Sequence, residues 1–171
     1  VSYVDTRNGL VMPSWDLWEE RWGIHAFTVG AVWGGLDAAR NFADLFGDVK
    51  AYVRYRDAAD RLRKASDTHL YSPDLGRFAR RIAVEDDGTL TVDMILDSAL
   101  YGLWRFGMYT PDDKRIVETM TAIRDQLSNK AATGGVARYA DDYYFRVETD
   151  TKRVPGNPWF MCTLWLAQWY I

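Results

Sequence analysis

Two kinds of helical segment alternate along this chain. From Ile24 to Phe46, Ala, Val, Phe and Gly occupy most faces, which predicts a helix buried nearly all round. Gly47 ends it and Asp48 starts the next, with almost no connector. From Val49 to Leu70 the pattern is amphipathic: Arg54, Arg56, Arg61, Arg63 and Lys64 mark a wet face, Val53 and Leu62 a dry one. Ala79–Val84 and Thr89–Val92 read as strands of a β-hairpin turning at Glu85-Asp86-Asp87-Gly88. A third helix is predicted over Met94–Phe106, where Leu96, Ala99, Leu100, Leu103 and Phe106 recur at helical spacing with few charges. Thr110-Pro111-Asp112-Asp113 then supplies a helix start, with Thr110 as cap, Pro111 in the first position and Asp in the first turn. Ile116, Met120, Ile123 and Leu127 make a single apolar stripe, and the last helix, Trp159–Ile171, is again apolar on most faces.

The order is therefore long loop, dry helix, short turn, wet helix, repeated. A helix that is dry all round lies inside and one with a wet face lies outside, and short turns make each pair an antiparallel hairpin. All the long loops then fall at the N-terminal end of the inner helices. That is the geometry of an all-α toroid, an α/α barrel with its site at the loop end. A plain helical bundle with decorative loops satisfies the same periodicity.

Composition sets bounds. The 171 residues suffice for one domain with a core, here expected to span 1–171, and 48% hydrophobic with 26% charged residues is a globular balance. A net charge of −3 with interspersed signs argues against a phosphate-binding groove, so no nucleic-acid partner is expected. No apolar run reaches membrane-spanning length, no signal peptide is visible, and the single Cys162 suits a reducing compartment, so the expected location is cytoplasmic. Absence of an initiator Met and an end inside an apolar run lead to the expectation of a fragment. Aromatics at 15%, with eight Trp and ten Tyr, exceed what a core needs.

The surplus concentrates in the loops. Pro13-Ser14-Trp15-Asp16-Leu17-Trp18-Glu19-Glu20-Arg21 combines tryptophans with carboxylates, a mixture that neither a surface loop nor a core ordinarily holds. Carbohydrate sites want it: indole faces stack on sugar rings, carboxylates hold hydroxyls, and a carboxylic acid can protonate a glycosidic oxygen. Another long connection carries Arg138-Tyr139-Ala140-Asp141-Asp142-Tyr143-Tyr144 and Pro155-Gly156-Asn157-Pro158-Trp159, again residues that hold hydroxyls and stack. Each feature also has an ordinary reading: Glu19-Glu20 as a solvated helix start, Arg138 with Asp142 as a structural ion pair, Trp159 as core. Trp33, Trp104 and Trp165 read as core. His25 and His69 are isolated, Glu85–Gly88 lacks alternating calcium-ligand spacing, and neither a metal nor a cofactor is expected. Asp97-Ser98 has no His partner for a hydrolase triad, and Cys162 reads as packed.

Asp16-Leu17-Trp18-Glu19-Glu20, Arg138-Tyr139 with Asp142-Tyr143-Tyr144, and Gly156-Asn157-Pro158-Trp159-Phe160 with Cys162-Thr163-Leu164 resemble glycoside hydrolase family 15, which comprises glucoamylases, glucodextranases and some bacterial trehalases. The resemblance runs in order over nearly the whole chain. It implies part of an (α/α)6 toroid and an inverting, exo-acting hydrolysis of α-glucosides, with an α-glucoside oligosaccharide or disaccharide as partner. By resemblance Glu19 stands at the general acid and Glu20 at a substrate-binding carboxylate, while Asp16 and Trp18 occupy flanking, site-shaping positions. Arg138, Tyr139, Asp142 and Trp159 fall on positions similar to the family's sugar-binding residues. One departure is Trp15, where a Tyr commonly precedes the Asp.

Inversion needs two carboxyls about 6.5–9.5 Å apart with water between them. Neighbouring Glu19 and Glu20 in an extended loop would point to opposite sides and cannot form that pair. By resemblance the base lies beyond the last helix. The chain is therefore expected to carry the acid without the base, to be inactive alone, and either to self-associate through its uncovered inner faces or to pack into a compact, non-toroidal helical arrangement. The competing class is a non-catalytic helical module that binds carbohydrate or supports a partner. A hydrolase site gathers Glu19, Arg138, Asp142 and Trp159 at one pocket, whereas a support module scatters them.

Overall fold

A computed structural model describes residues 4–171. Its helical frame begins with a hairpin of α1 (Ala26–Leu45) and α2 (Val49–His69). Gly47, at φ +69°, makes the reversal without the Cβ strain of other residues, and Asp48 caps α2 by accepting from the Ala51 N–H at 2.9 Å. The expected boundary between the two helices is the observed one.

Four strands form a sheet below this hairpin: β1 (Ser14–Trp15), β2 (Trp22–His25), β5 (Arg81–Val84) and β6 (Leu90–Asp93), antiparallel in that spatial order. β3 (Tyr71–Ser72) and β4 (Arg77–Phe78) make a small second ladder. The predicted hairpin is β5–β6, closed by Gly88 at φ +81° with Glu85 N–H to Thr89 O at 2.9 Å. Its enlargement by β1 and β2 was not expected. Those strands flank the Trp-Glu turn, which is therefore a strand reversal and not a helix start.

The third predicted helix is shorter than its periodicity implies. Ser98–Tyr101 form a 3-10 turn that runs into α3 (Gly102–Arg105). Met94–Asp97 is extended because Leu96 O and Ser98 N–H bond Ala140 N–H and Arg138 O, at 2.9 and 2.7 Å. This backbone pairing outcompetes the helix. α1 and α3 approach closely: a Cβ on Gly30 would meet Gly102 O at 3.0 Å, and one on Gly102 would meet the Phe27 ring at 2.7 Å.

α4 (Lys114–Leu127) buries Ile116, Met120, Ile123 and Leu127, the predicted stripe. Its cap is Asp113, which accepts from the Arg115 N–H at 3.0 Å, while Thr110 sits one turn earlier in a tight turn whose O accepts from Asp113 N–H. β7 (Val136–Ala137) pairs with β8 (Pro158–Trp159), which leads into α5 (Phe160–Trp169).

α1 and α5 are not buried all round. Phe42, Leu45 and Phe46 are exposed at the end of α1, with Leu45 75% exposed, and only Cys162 of α5 is buried while Phe160 is 92% exposed. α1 is packed on one side by α2, the 3-10 turn and α3, and α5 by the β7–β8 ladder, α4 and the 3-10 turn. Phe27 of α1 and Trp165 of α5 also meet, ring centroids 6.5 Å apart, while Leu45 and Phe160 stay exposed. Val53, expected on the dry side of α2, is exposed, whereas Leu62 is buried in the core. Trp33, Trp104 and Trp165 are half-buried against the core edge. No helix among the described residues is long and apolar enough to cross a membrane.

Candidate functional site

The N-terminal ends of α1, the 3-10 turn and α5 converge, and the loops that enter them build the site. The first wall is the reversal between β1 and β2. Asp16 N–H donates to Arg21 O at 2.9 Å, and the Asp16 carboxylate accepts from Glu20 N–H at 2.7 Å. Asp16 is thus turned into its own loop. Glu19 at the apex has φ +57°, a left-handed state that is unfavourable for a residue with a Cβ. The turn, and not an extended strand, separates the two glutamates: Glu19 is exposed with no side-chain partner among the described residues, and Glu20 is half-buried and held.

Glu20 is held from three sides. Its Oε2 accepts from Tyr139 Oη at 2.6 Å and Arg21 Nη1 at 2.7 Å, and its Oε1 lies 2.9 Å from Arg138 Nη2. Arg138 also forks onto Asp142, Nε to Oδ2 at 2.8 Å and Nη2 to Oδ1 at 2.7 Å. Asp142 is fully buried and Arg138 nearly so. Burial opposes charge on both, but the paired geometry prevails, holding Asp142 below the ordinary carboxylate range and raising Arg138 above the ordinary guanidinium one. Burial, and then Glu20, push the Tyr139 hydroxyl up, so it stays a donor. Arg138 Nη1 has no hydrogen-bond partner among the described residues. The guanidinium lies 4.9–5.3 Å from the rings of Tyr144, Trp159, Tyr139 and Trp18, an aromatic cage around a cation.

The loop after Asp142 returns to its start. Asp142 N–H donates to Pro155 O at 3.0 Å, and Asn157 Nδ2 donates to the carbonyls of Tyr144 and Phe145 at 3.1 and 2.8 Å. A Cβ on Gly156 would meet Asp142 Cβ at 2.5 Å, so this position needs the smallest residue. The Pro-Gly-Asn-Pro motif thus closes the loop that carries the Arg138 fork.

Together these pieces enclose an open cleft of about 640 Å³, lined by Leu17, Trp18, Glu19, Glu20, Arg138, Tyr143, Tyr144, Trp159 and Met161. Of the residues singled out from the sequence, Glu19, Glu20, Trp18, Arg138 and Trp159 face it. Tyr139 and Asp142 lie beneath as supports, and Asp16 braces the turn. Tyr143 and Tyr144 belong to a motif already read but were not singled out individually. Arg21, which clamps Glu20 and stacks 4.3 Å over the Tyr139 ring, could have been found from its opposite charge beside Glu20. Asp97, which accepts from Trp18 Nε1 at 3.1 and 3.2 Å, carries no motif signal at all. Cys162 is buried beside Ser98 Oγ, and burial pushes its thiol up to about 12, as a packed thiol requires. Among the described residues no three His, Cys, Asp or Glu side chains gather as a metal site.

Residues 8–171 match the family model of glycosyl hydrolases family 15. An uncharacterized glycosyl hydrolase of Methanocaldococcus jannaschii is 31% identical over 159 residues, 92% of this chain and 23% of that protein. A probable glucoamylase of Schizosaccharomyces pombe is 29% identical, over 92% of this chain and 33% of its own length. A bacterial glucoamylase complexed with acarbose shares the fold at a TM-score of 0.70 and 21% identity, over 89% of this chain and 26% of that one. The chain thus spans a quarter to a third of the length of these relatives. The fold is the expected one: a mostly helical part of an (α/α)6 toroid with small strands in its loops.

Proposed function

The chain belongs to the glycosyl hydrolases of family 15, and from that membership we propose that it is the acid-bearing part of an inverting, exo-acting α-glucoside hydrolase, with Glu19 as general acid. One observation carries the assignment: in a cleft walled by four aromatics, Glu19 is the carboxyl with no side-chain partner among the described residues. A general acid must present its proton to the leaving oxygen, which a carboxylate locked by two arginines cannot do. Glu20 is locked in that way, so it holds sugar hydroxyls and orients Arg138. Arg138 Nη1 is free to donate to the sugar. Trp18, Trp159, Tyr143 and Tyr144 offer faces for ring stacking.

The base lies outside these residues. Inversion places it across the scissile bond with room for water. Within the cleft lining the carboxylates are Glu19 and Glu20, while Asp16 and Asp142 are tied to backbone N–H groups and to Arg138. The single folding unit of residues 1–171 is then one portion of a larger catalytic toroid, inactive alone. Gathering Glu19, Arg138 and Trp159 on one cleft supports this reading over a non-catalytic support module.

The test is maltose hydrolysis by the intact enzyme. Glu19→Gln is expected to lower kcat by about 10²–10⁴-fold with little change in inhibitor binding. Near-normal turnover in Glu19→Gln with loss in Glu20→Gln would reverse the two roles. Glucose release by the isolated chain, abolished by Glu19→Gln, would place a base within these residues.

A further inference from the structure

One buried carboxylate takes no part in the chemistry above. Asp97 is 4% exposed and sits directly behind Trp18. Its Oδ1 accepts from the Ala99 N–H at 2.8 Å and so caps the 3-10 turn. A cap needs one oxygen, and Asn or Ser supplies it without burying a charge. Both carboxylate oxygens of Asp97 also receive Trp18 Nε1. On either side its backbone is bonded to the Arg138–Ala140 segment through Ser98 and Leu96. One residue therefore ties the Trp-Glu turn, the 3-10 turn and the Arg138–Ala140 segment together, three segments far apart in sequence.

An indole packed only against apolar and aromatic groups can settle with its ring turned over, and a fixed acceptor for its N–H selects one orientation. The selection matters here. The Trp18 ring lies 5.3 Å from the Arg138 guanidinium and 6.3 and 6.1 Å from Trp159 and Trp165. We propose that Asp97 is a positioning residue for the cleft: it sets the plane of Trp18, and through it the aromatic wall that meets the sugar. This rests on the cleft being a sugar site, as proposed above.

The surroundings make Asp97 observable. A cavity of about 20 Å³ adjoins it, walled in part by Asp16, His25, Arg80 and Arg81 among apolar side chains, and Cys162 lies beside Ser98. Arg80 Nη1 is buried without a partner among the described residues. Burial raises the Asp97 pKa to about 6, with Asp16 adding to the rise and the Ala99 and Trp18 N–H groups and Arg80 opposing it.

The first arm of the test follows the Trp18 indole N–H by ¹H–¹⁵N NMR, assigned with Trp18→Phe. The wild-type resonance is expected to move with pH, midpoint about 6, and in Asp97→Asn to be shifted and flat from about pH 4 to about pH 8. A resonance that keeps its wild-type position in Asp97→Asn, or that titrates unchanged there, overturns the proposal. The second arm measures binding of a glucose-configured iminosugar to the intact enzyme. Asp97→Ala and Trp18→Phe should each weaken it about tenfold, and the double variant about as much as either single one. Asp97→Asn, which keeps one acceptor, should stay within about threefold of wild type. Additive losses, or an Asp97→Ala that lowers only the melting temperature, overturn the positioning role. If the wild type binds no iminosugar, the sugar-site reading fails, while the NMR arm still decides the link between Asp97 and Trp18.

Discussion

Tyr139 donates its hydroxyl to Glu20 at 2.6 Å across 119 positions of sequence. The bond joins the Trp-Glu turn to the Arg138–Ala140 segment, and it needs Tyr139 protonated, which burial secures. Tyr139→Phe removes only the oxygen and leaves Glu20 with its two arginines. Folding stability in urea is expected to fall by about 1.5–3 kcal/mol, the range for a hydrogen bond to a charged group. An unchanged midpoint would show that Arg21 and Arg138 hold Glu20 without help.

The two glutamates should respond differently to amide substitution. Glu19 is exposed and has no side-chain partner among the described residues, so Glu19→Gln is expected to leave the melting temperature unchanged. Glu20→Gln removes the charge facing Arg138 and Arg21 and is expected to cost about 3 kcal/mol, as for breaking a buried ion pair. Thermal denaturation of the two variants side by side checks this, and equal losses would contradict the environments described for them.

Arg138 serves the fold and the cleft with different nitrogens. Nε and Nη2 are committed to Asp142 and Glu20, and Nη1 has no hydrogen-bond partner among the described residues. Lys cannot reproduce the fork. Arg138→Lys is expected to lower stability by about 3 kcal/mol and to weaken a glucose-like inhibitor by about 1.5–3 kcal/mol. Calorimetry on the folded variant separates the effects: lost stability with an unchanged inhibition constant would confine Arg138 to a structural role.

Asp97 makes stability depend on pH in an unusual direction for a carboxylate. Its folded pKa, about 6, exceeds the ordinary 3.8. The folded state therefore holds the proton more tightly, and the associated stability is complete below about pH 4 and lost as pH rises towards about 6. Asp97→Asn stays neutral throughout. Relative to wild type it should gain about 3 kcal/mol between pH 4 and 7, and parallel stability curves across that window would contradict the burial argument.

The isolated chain presents Phe42, Leu45, Phe46 and Val49 at one end and Phe160, Leu164 and Ile171 at another, all exposed. Apolar surface on the order of several hundred Å² left in water favours association at about 25 cal/mol per Å². Light scattering is expected to show self-association that Phe42→Ser with Phe46→Ser reduces. A monomeric wild type at high concentration would show that these faces tolerate water.

Residue type and spacing alone determined a large part of this protein. The α4 stripe, the Gly47-Asp48 boundary and the β5–β6 hairpin were legible because capping, handedness and amphipathic spacing are local, set within a few residues. The loop chemistry was legible because tryptophans beside carboxylates, and Arg beside Tyr and Asp, are rare outside sites that handle polar rings. What only the tertiary structure decided depends on partners distant in sequence. Met94–Asp97 has helical spacing yet is extended, because the Arg138–Ala140 segment offers it backbone hydrogen bonds that a helix would forgo. α1 and α5 read as dry helices, but dryness says only that a face prefers cover, not whether an element is there to provide it. Glu19 and Glu20 are the same residue type at adjacent positions. Arg138, Tyr139 and Arg21 reach one of them and a left-handed turn carries the other into the open cleft, so their difference is a property of the fold. Asp97 was read only as lacking a triad partner, for the same reason: an aspartate before a serine has no evident role until the chain brings an indole N–H to its carboxylate.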